Sequence, residues 1–146
     1  LFSRIKTGYI IKREEYELMH FAVERRINSD LKCGKETIDE ILQNIKEIVD
    51  PDTFFNTKLI LNELMINSVI HGNCGDMNKM IDIKVYINKS KITIEVKDEG
   101  AGICCDIKDY GEYDYLESGR GLMLVEGLSD ILNVDGNTVT CIQYLK

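Results

Sequence analysis

The segment Asn62-Glu63-Leu64-Met65-Ile66-Asn67-Ser68-Val69-Ile70-His71-Gly72-Asn73 constrains this chain more than any other. Read as a helix, it places Glu63, Asn67 and His71 one turn apart on a single face. The residues between them are mostly apolar. A carboxylate, an amide and an imidazole above an apolar seam can hold a metal and orient a water. Each of the three alone reads as part of a solvated stripe. The combination gains weight from the glycine-rich segments that follow, Asp98-Glu99-Gly100-Ala101-Gly102 and Gly119-Arg120-Gly121-Leu122.

The surrounding elements can be read from periodicity. Phe21, Val23, Arg25 and Ile27 alternate with His20, Ala22, Glu24 and Arg26, a strand signal that ends in the turn Asn28-Ser29-Asp30. The same charges would also permit a helix continuing from Glu14. Helical spacing appears at Ile38, Ile41, Leu42, Ile45, Ile48 and Val49. Asp50-Pro51-Asp52 ends that helix and starts a second, from about Thr53 to His71, with Gly72 as its stop. Ile81–Ile87 and Ile92–Lys97 read as a hairpin about Asn88-Lys89-Ser90-Lys91. A third helix should start near Gly121 and carry Leu122, Leu124, Val125 and Leu128. Ile131 to Leu145 breaks at Asp135-Gly136-Asn137, a second hairpin.

With 146 residues the chain is one domain by the usual prior. We divide it into a linker or arm, 1–18, and a folded domain, 19–146. The start at Leu1 suggests a segment of a longer polypeptide. No apolar run approaches the ~18 residues that span a bilayer, and no secretory signal is expected, so the reading is cytoplasmic with no membrane partner. A net charge of −7 disfavours nucleic acid as a direct partner, because phosphate neutralisation needs clustered Lys and Arg. Cys33, Cys74, Cys104, Cys105 and Cys141 fit no zinc spacing and read as free thiols.

The three blocks share a chemistry. Mg²⁺ prefers oxygen ligands and keeps several waters, so one amide oxygen together with phosphate oxygens suits it. A carboxylate one turn away can take a proton from an attacking hydroxyl or water. His71, at the helix end, is better suited to shaping the turn. Asp98, at a strand end, can accept a hydrogen bond from an exocyclic amine such as adenine N6, which selects against guanine. Its alternative is an acidic solvated turn. Gly119 and Gly121 before a helix can expose backbone N–H groups to anionic oxygens, with Arg120 either reinforcing this or serving as a surface charge. The Gly-Lys-Ser/Thr ending of a P-loop is absent.

In this order and at these separations, the blocks resemble the ATPase superfamily of gyrase-type topoisomerases, heat-shock chaperones, histidine kinases and mismatch-repair proteins. Within it, Asn67-Ser68-Val69-Ile70-His71-Gly72 looks most like the anti-sigma-factor serine kinases, whose helix ends Asn-Ala-hydrophobic-hydrophobic-His-Gly. The resemblance covers about residues 19–146. It implies a Bergerat-type α/β two-layer sandwich, a mixed sheet covered on one face by three helices. It implies Glu63 as catalytic base and Asn67 as Mg²⁺ ligand. Asp98 would bind adenine, with Gly100 and Gly102 as pocket wall. Gly119, Arg120, Gly121 and Leu122 would lie at the phosphates, His71 at the helix end of the nucleotide site, and Thr138 would reach adenine through water.

The implied function is an ATP-binding regulatory kinase that sequesters a sigma factor and phosphorylates a serine on an antagonist protein, with a homodimer as one arrangement. Two alternatives stand beside it. One is a nucleotide-binding interaction module without kinase activity, suggested by the acidic stretch 103–118. The other is the catalytic domain of a sensor histidine kinase, although His20 and His71, the only histidines, lie in no evident dimerisation helix pair.

Overall fold

A computed structural model of the protein describes residues 19–101 and 120–145. The arm 1–18, the acidic stretch 103–118, Gly102 and Gly119 lie outside the described residues. The elements are β1 (Met19–Asn28), α1 (Leu31–Ile45), α2 (Pro51–Ile66), a π-helical turn (Asn67–Gly72), β2 (Met80–Asn88), β3 (Lys91–Lys97), α3 (Arg120–Leu128), β4 (Ile131–Asp135) and β5 (Thr138–Tyr144). No helix among the described residues is long and apolar enough to cross a membrane.

The strands form one sheet in the order β1-β2-β3-β5-β4. The two-layer α/β arrangement is as expected, but in detail all the described pairings are antiparallel where a mixed sheet was expected. The connections explain this. β2–β3 and β4–β5 are tight hairpins, and the α1–α2 pair carries the chain from β1 to an antiparallel neighbour. In the first hairpin Asn88 Oδ1 accepts from the Ser90 and Lys91 amides at 2.8 and 2.9 Å. In the second, Gly136 turns the chain at φ 59°.

Alternation along the strands sends one set of side chains to the helices. Ile81, Ile83, Val85 and Ile87 of β2, Ile92, Ile94 and Val96 of β3, and Val139 and Cys141 of β5 are buried there. They pack with Ile38, Ile41 and Ile45 of α1, with Ile60, Leu61, Leu64 and Met65 of α2, and with Leu122 and Val125 of α3. Burying each such Ile or Leu stabilises the fold by roughly 1.5–3 kcal/mol. On the other face, Lys84 lies between Glu24 and Glu95, 3.8 and 3.7 Å away.

Two acids start the helices. Asp30 accepts from the Cys33 amide and Asp50 from the Thr53 amide, each three residues on, as N-caps do. Pro51 fills the first turn of α2. At the α1–α2 crossing Gly34 leaves no room for a side chain, since a Cβ would sit 2.6 Å from Met65 Sδ. Farther along, Gln143 donates to Thr57 Oγ1 at 3.0 Å, a buried polar tie from β5 to α2.

Candidate active site

α2 carries Glu63 on its last turns and passes into the π turn without leaving helical backbone. Here the ladder widens: the Asn73 amide donates to Ser68 O at 2.8 Å, five residues back. Such turns insert one residue and re-aim the side chains that follow. The single face expected for Glu63, Asn67 and His71 is therefore broken after Asn67. Glu63 and Asn67 are half-buried, whereas His71 is exposed. Gly72 does not end the helix through a left-handed backbone. The left-handed residues that follow the turn are Cys74 at φ 53° and Gly75 at φ 74°.

Glu63 and Asn67 meet the start of α3. A Cβ on Gly121 would lie 2.8 Å from Glu63 Oε2 and 3.3 and 3.4 Å from the Asn67 amide nitrogen and oxygen. A side chain at position 121 would have to push the Glu63 carboxylate aside. The Asn67 amide nitrogen is buried and has no hydrogen-bond partner among the described residues. A buried polar group left unpaired costs free energy until something pairs with it. Leu122 is buried and belongs to the hydrophobic core.

Asp98 follows β3 and faces the end of the π turn. Any Cβ at Gly72 would overlap the Asp98 carboxylate, and one at Gly100 would overlap the Gly72 carbonyl. The Gly100 amide donates to Asp98 Oδ1 at 2.9 Å. Burial pushes the Asp98 carboxyl above its ordinary value, and the Gly100 amide, the Ser68 hydroxyl and the nearby Lys79 ammonium oppose that shift.

Two asparagines hold this turn, and the sequence reading missed both. Asn73 is fully buried. Its Oδ1 accepts from the Glu99 amide at 2.8 Å and its Nδ2 donates to Met80 O at 3.2 Å. Asn137 Nδ2 donates to Asp98 O at 2.7 Å, and Asn137 O accepts from the Asp98 amide at 3.1 Å. The only sequence signal for Asn73 was an amide directly after His-Gly. Thr138, expected to reach adenine, pairs with Lys97.

The same helix end serves both clusters, through Glu63 and Asn67 toward Gly121 and through Gly72 toward Asp98. Glu63, Asn67 and Gly121 lie on one side, and Asp98, Gly72 and Gly100 on the other. His71 adjoins Gly72 in the chain, and its carbonyl is 3.7 Å from Cys74 Sγ. Cys33, Cys74 and Cys141 carry free thiols. Burial pushes the Cys141 thiol up to about 11, which leaves it inert. No group of three or more His, Cys, Asp or Glu suited to a metal occurs among the described residues.

A sheet backed by helices, with an acid and an amide beside a glycine at a helix start and an aspartate walled by glycines, defines a nucleotide-site protein of the kinase-like ATPase class. The sequence matches the histidine kinase-like ATPase domain over residues 31–144. It is 32% identical over 108 residues to the anti-sigma F factor of Geobacillus stearothermophilus, covering 67% of this chain and 73% of that one. With the anti-sigma F factor of Clostridium beijerinckii it shares 30% over 94 residues, 60% and 66% of the two chains. With that of Geobacillus thermodenitrificans it shares 27% over 139 residues, 88% and 90%. The chain belongs to the histidine kinase-like ATPase family, among its anti-sigma-factor kinases.

Proposed function

We propose that this protein binds Mg-ATP, sequesters a sigma factor and phosphorylates a serine on an antagonist protein, acting in the cytoplasm on transcription. The observation that carries the reading is the approach of Gly121 to both Glu63 and Asn67, which joins the acid and the amide to a helix N-terminus.

The residues present suit the groups proposed. An Asn amide can offer its oxygen to a cation and its nitrogen to a phosphate oxygen, and the Asn67 nitrogen is buried and unpartnered among the described residues. Asn67 would hold Mg²⁺, which when bound supplies positive charge to the phosphate oxygens. The free N–H groups at the start of α3 favour anionic oxygens. Asp98 would accept from the adenine amine, with Gly72 and Gly100 letting the backbone pack closely around its carboxylate. Glu63 would take the proton from the attacking serine hydroxyl, a contribution typically of ~10²–10⁴ in rate. Most of the remaining catalysis in phosphoryl transfer is positioning and charge neutralisation.

The test is phosphotransfer from γ-labelled ATP to a cognate antagonist, with and without EDTA, followed by mass spectrometry of the modified residue. Phosphoserine on the antagonist, lost with the chelator, is the expected result. An ATP-dependent rise in melting temperature without any transfer would leave a nucleotide-binding interaction module instead.

A further inference from the structure

A closed cycle of hydrogen bonds fastens the Asp98 turn. Asn73, just past the π turn, donates from Nδ2 to Met80 O at 3.2 Å. The Met80 amide, at the start of β2, donates to Glu99 Oε2 at 2.7 Å. The Glu99 amide, just past β3, donates to Asn73 Oδ1 at 2.8 Å and closes the cycle. Every bond in it joins a side chain to the main chain. The end of the π turn, the start of β2 and the end of β3 are thereby held at fixed spacing.

Asn73 follows Gly72 and Glu99 follows Asp98, so the bond between them lies one residue from the Gly72–Asp98 contact. The turn's own donors are also used up. The Asp98 amide goes to Asn137 O at 3.1 Å, the Glu99 amide to Asn73, and the Gly100 amide to Asp98 Oδ1 at 2.9 Å. What these three residues still offer a ligand is acceptors, chiefly the Asp98 carboxylate. A base bearing an amine finds a partner there, and a base bearing a carbonyl at that place finds none. Asn73 is fully buried, whereas the Glu99 side chain is 46% exposed, with Oε1 3.7 Å from the Arg26 guanidinium.

We infer that Glu99 is a positioning residue for base recognition: its carboxylate, by gripping the Met80 amide, holds the Asp98 turn so that it presents acceptors alone to the ligand. The inference rests on the reading of Asp98 as the adenine contact. The ligand class selected is a nucleotide whose six-membered ring carries an exocyclic amine. Without the Glu99 carboxylate the Met80 amide loses its partner, and Asn73 holds the turn alone. The Asp98 carboxylate then drifts from the amine it is set to meet. Glu99 itself acts through the turn and need not touch the nucleotide.

The experiment titrates ATP and purine riboside triphosphate, which lacks the 6-amine, into wild type, Glu99→Ala, Glu99→Asp and Glu99→Gln by calorimetry. The two nucleotides carry the same charge, so the ratio of their affinities cancels any general repulsion by the acid. Melting temperatures without nucleotide serve as the folding control. Wild type should favour ATP. Glu99→Gln keeps an acceptor for the Met80 amide and should keep that preference. Glu99→Ala removes the acceptor, and Glu99→Asp keeps the charge but shortens the reach. In both, the preference should shrink about threefold to tenfold, the size of one lost hydrogen bond. An unchanged preference in both overturns the inference while leaving Asp98 as the adenine contact. Equal loss of both nucleotides also overturns it, because a general defect does not distinguish the amine. So does a Glu99→Gln protein that behaves like Glu99→Ala, since the charge and not the bond would then be at work. A wild type indifferent to the amine removes the adenine reading itself, and the inference with it.

Discussion

The Cα of Gly72 lies against the carboxylate of Asp98 so closely that a methyl at position 72 would overlap it. These residues come from different elements, the π turn and the end of β3, and their contact sets the wall of the proposed base pocket. Neither side yields easily, since Asp98 is tied through its backbone to Asn137 and Gly72 is backed by the Gly100 segment. Gly72→Ala should therefore displace the carboxylate. Overpacking of this kind costs typically ~1–3 kcal/mol, and the variant should melt lower and bind ATP on the order of tenfold more weakly. Calorimetry and a thermal melt on the same sample check both.

Asp98 should also trade stability for binding. Burial raises its folded-state carboxyl above the ordinary 3.8, so its ionisation works against the fold. Stability attached to the protonated form is present below pH 3.8 and is lost as pH rises through the higher folded value. Asp98→Asn removes that loss. The variant should match wild type in acid and melt at or above it at neutral pH, while losing its preference for ATP over purine riboside triphosphate, which lacks the 6-amine. Melting curves across pH 3 to 7 test the sign: an Asn variant that falls further below wild type as pH rises would contradict the buried-charge account.

The framework of this fold was legible because its signals are local. Ile81, Ile83, Val85 and Ile87 alternate, Asn88 makes the turn, and Ile92, Ile94 and Val96 answer from the next strand in register. The start of α1 was not, because Leu31 is exposed and Gly34 sits where an apolar residue would have extended the pattern. The sequence reading therefore placed that helix from Ile38. The π turn was invisible for a deeper reason: apolar spacing cannot distinguish a bond four residues back from one five back. In the site, Glu63 and Asn67 could be paired from spacing alone, and the structure puts them together. Asn73 and Asn137 act across the chain on the Glu99 amide and the Asp98 carbonyl, and no local pattern marks a residue whose partner is 26 or 39 positions away.

The tie between Thr57 and Gln143 gives a test of the fold apart from the site. Thr57 Oγ1 donates to Thr53 O at 2.8 Å and accepts from the buried Gln143 Nε2 at 3.0 Å. Thr57→Val keeps the shape but leaves the buried Gln143 amide without its acceptor, a penalty of ~1–3 kcal/mol. The melting temperature should drop by several degrees with ATP affinity unchanged. Thr57→Val with Gln143→Leu should recover much of the loss, since replacing both partners by apolar groups leaves nothing unpaired. A double variant no more stable than the single one would show that the hydrogen bond is not the source of the loss.

Glu63 and Asn67 stand side by side at Gly121, yet their proposed roles predict opposite kinetic signatures. Glu63→Gln keeps size and hydrogen bonding but cannot accept a proton. It should bind Mg-ATP within a few-fold of wild type while phosphotransfer falls by about 10²–10⁴, the usual weight of a general base. Asn67→Ala removes the amide proposed to hold the metal. Its ATP affinity should fall and become insensitive to EDTA, whereas wild-type affinity should drop sharply when the cation is chelated. Titrations with and without chelator, set beside single-turnover transfer, separate the two. A Glu63→Gln protein that transfers phosphate at the wild-type rate would leave the acid as a structural neighbour of α3 and move the search for the base elsewhere.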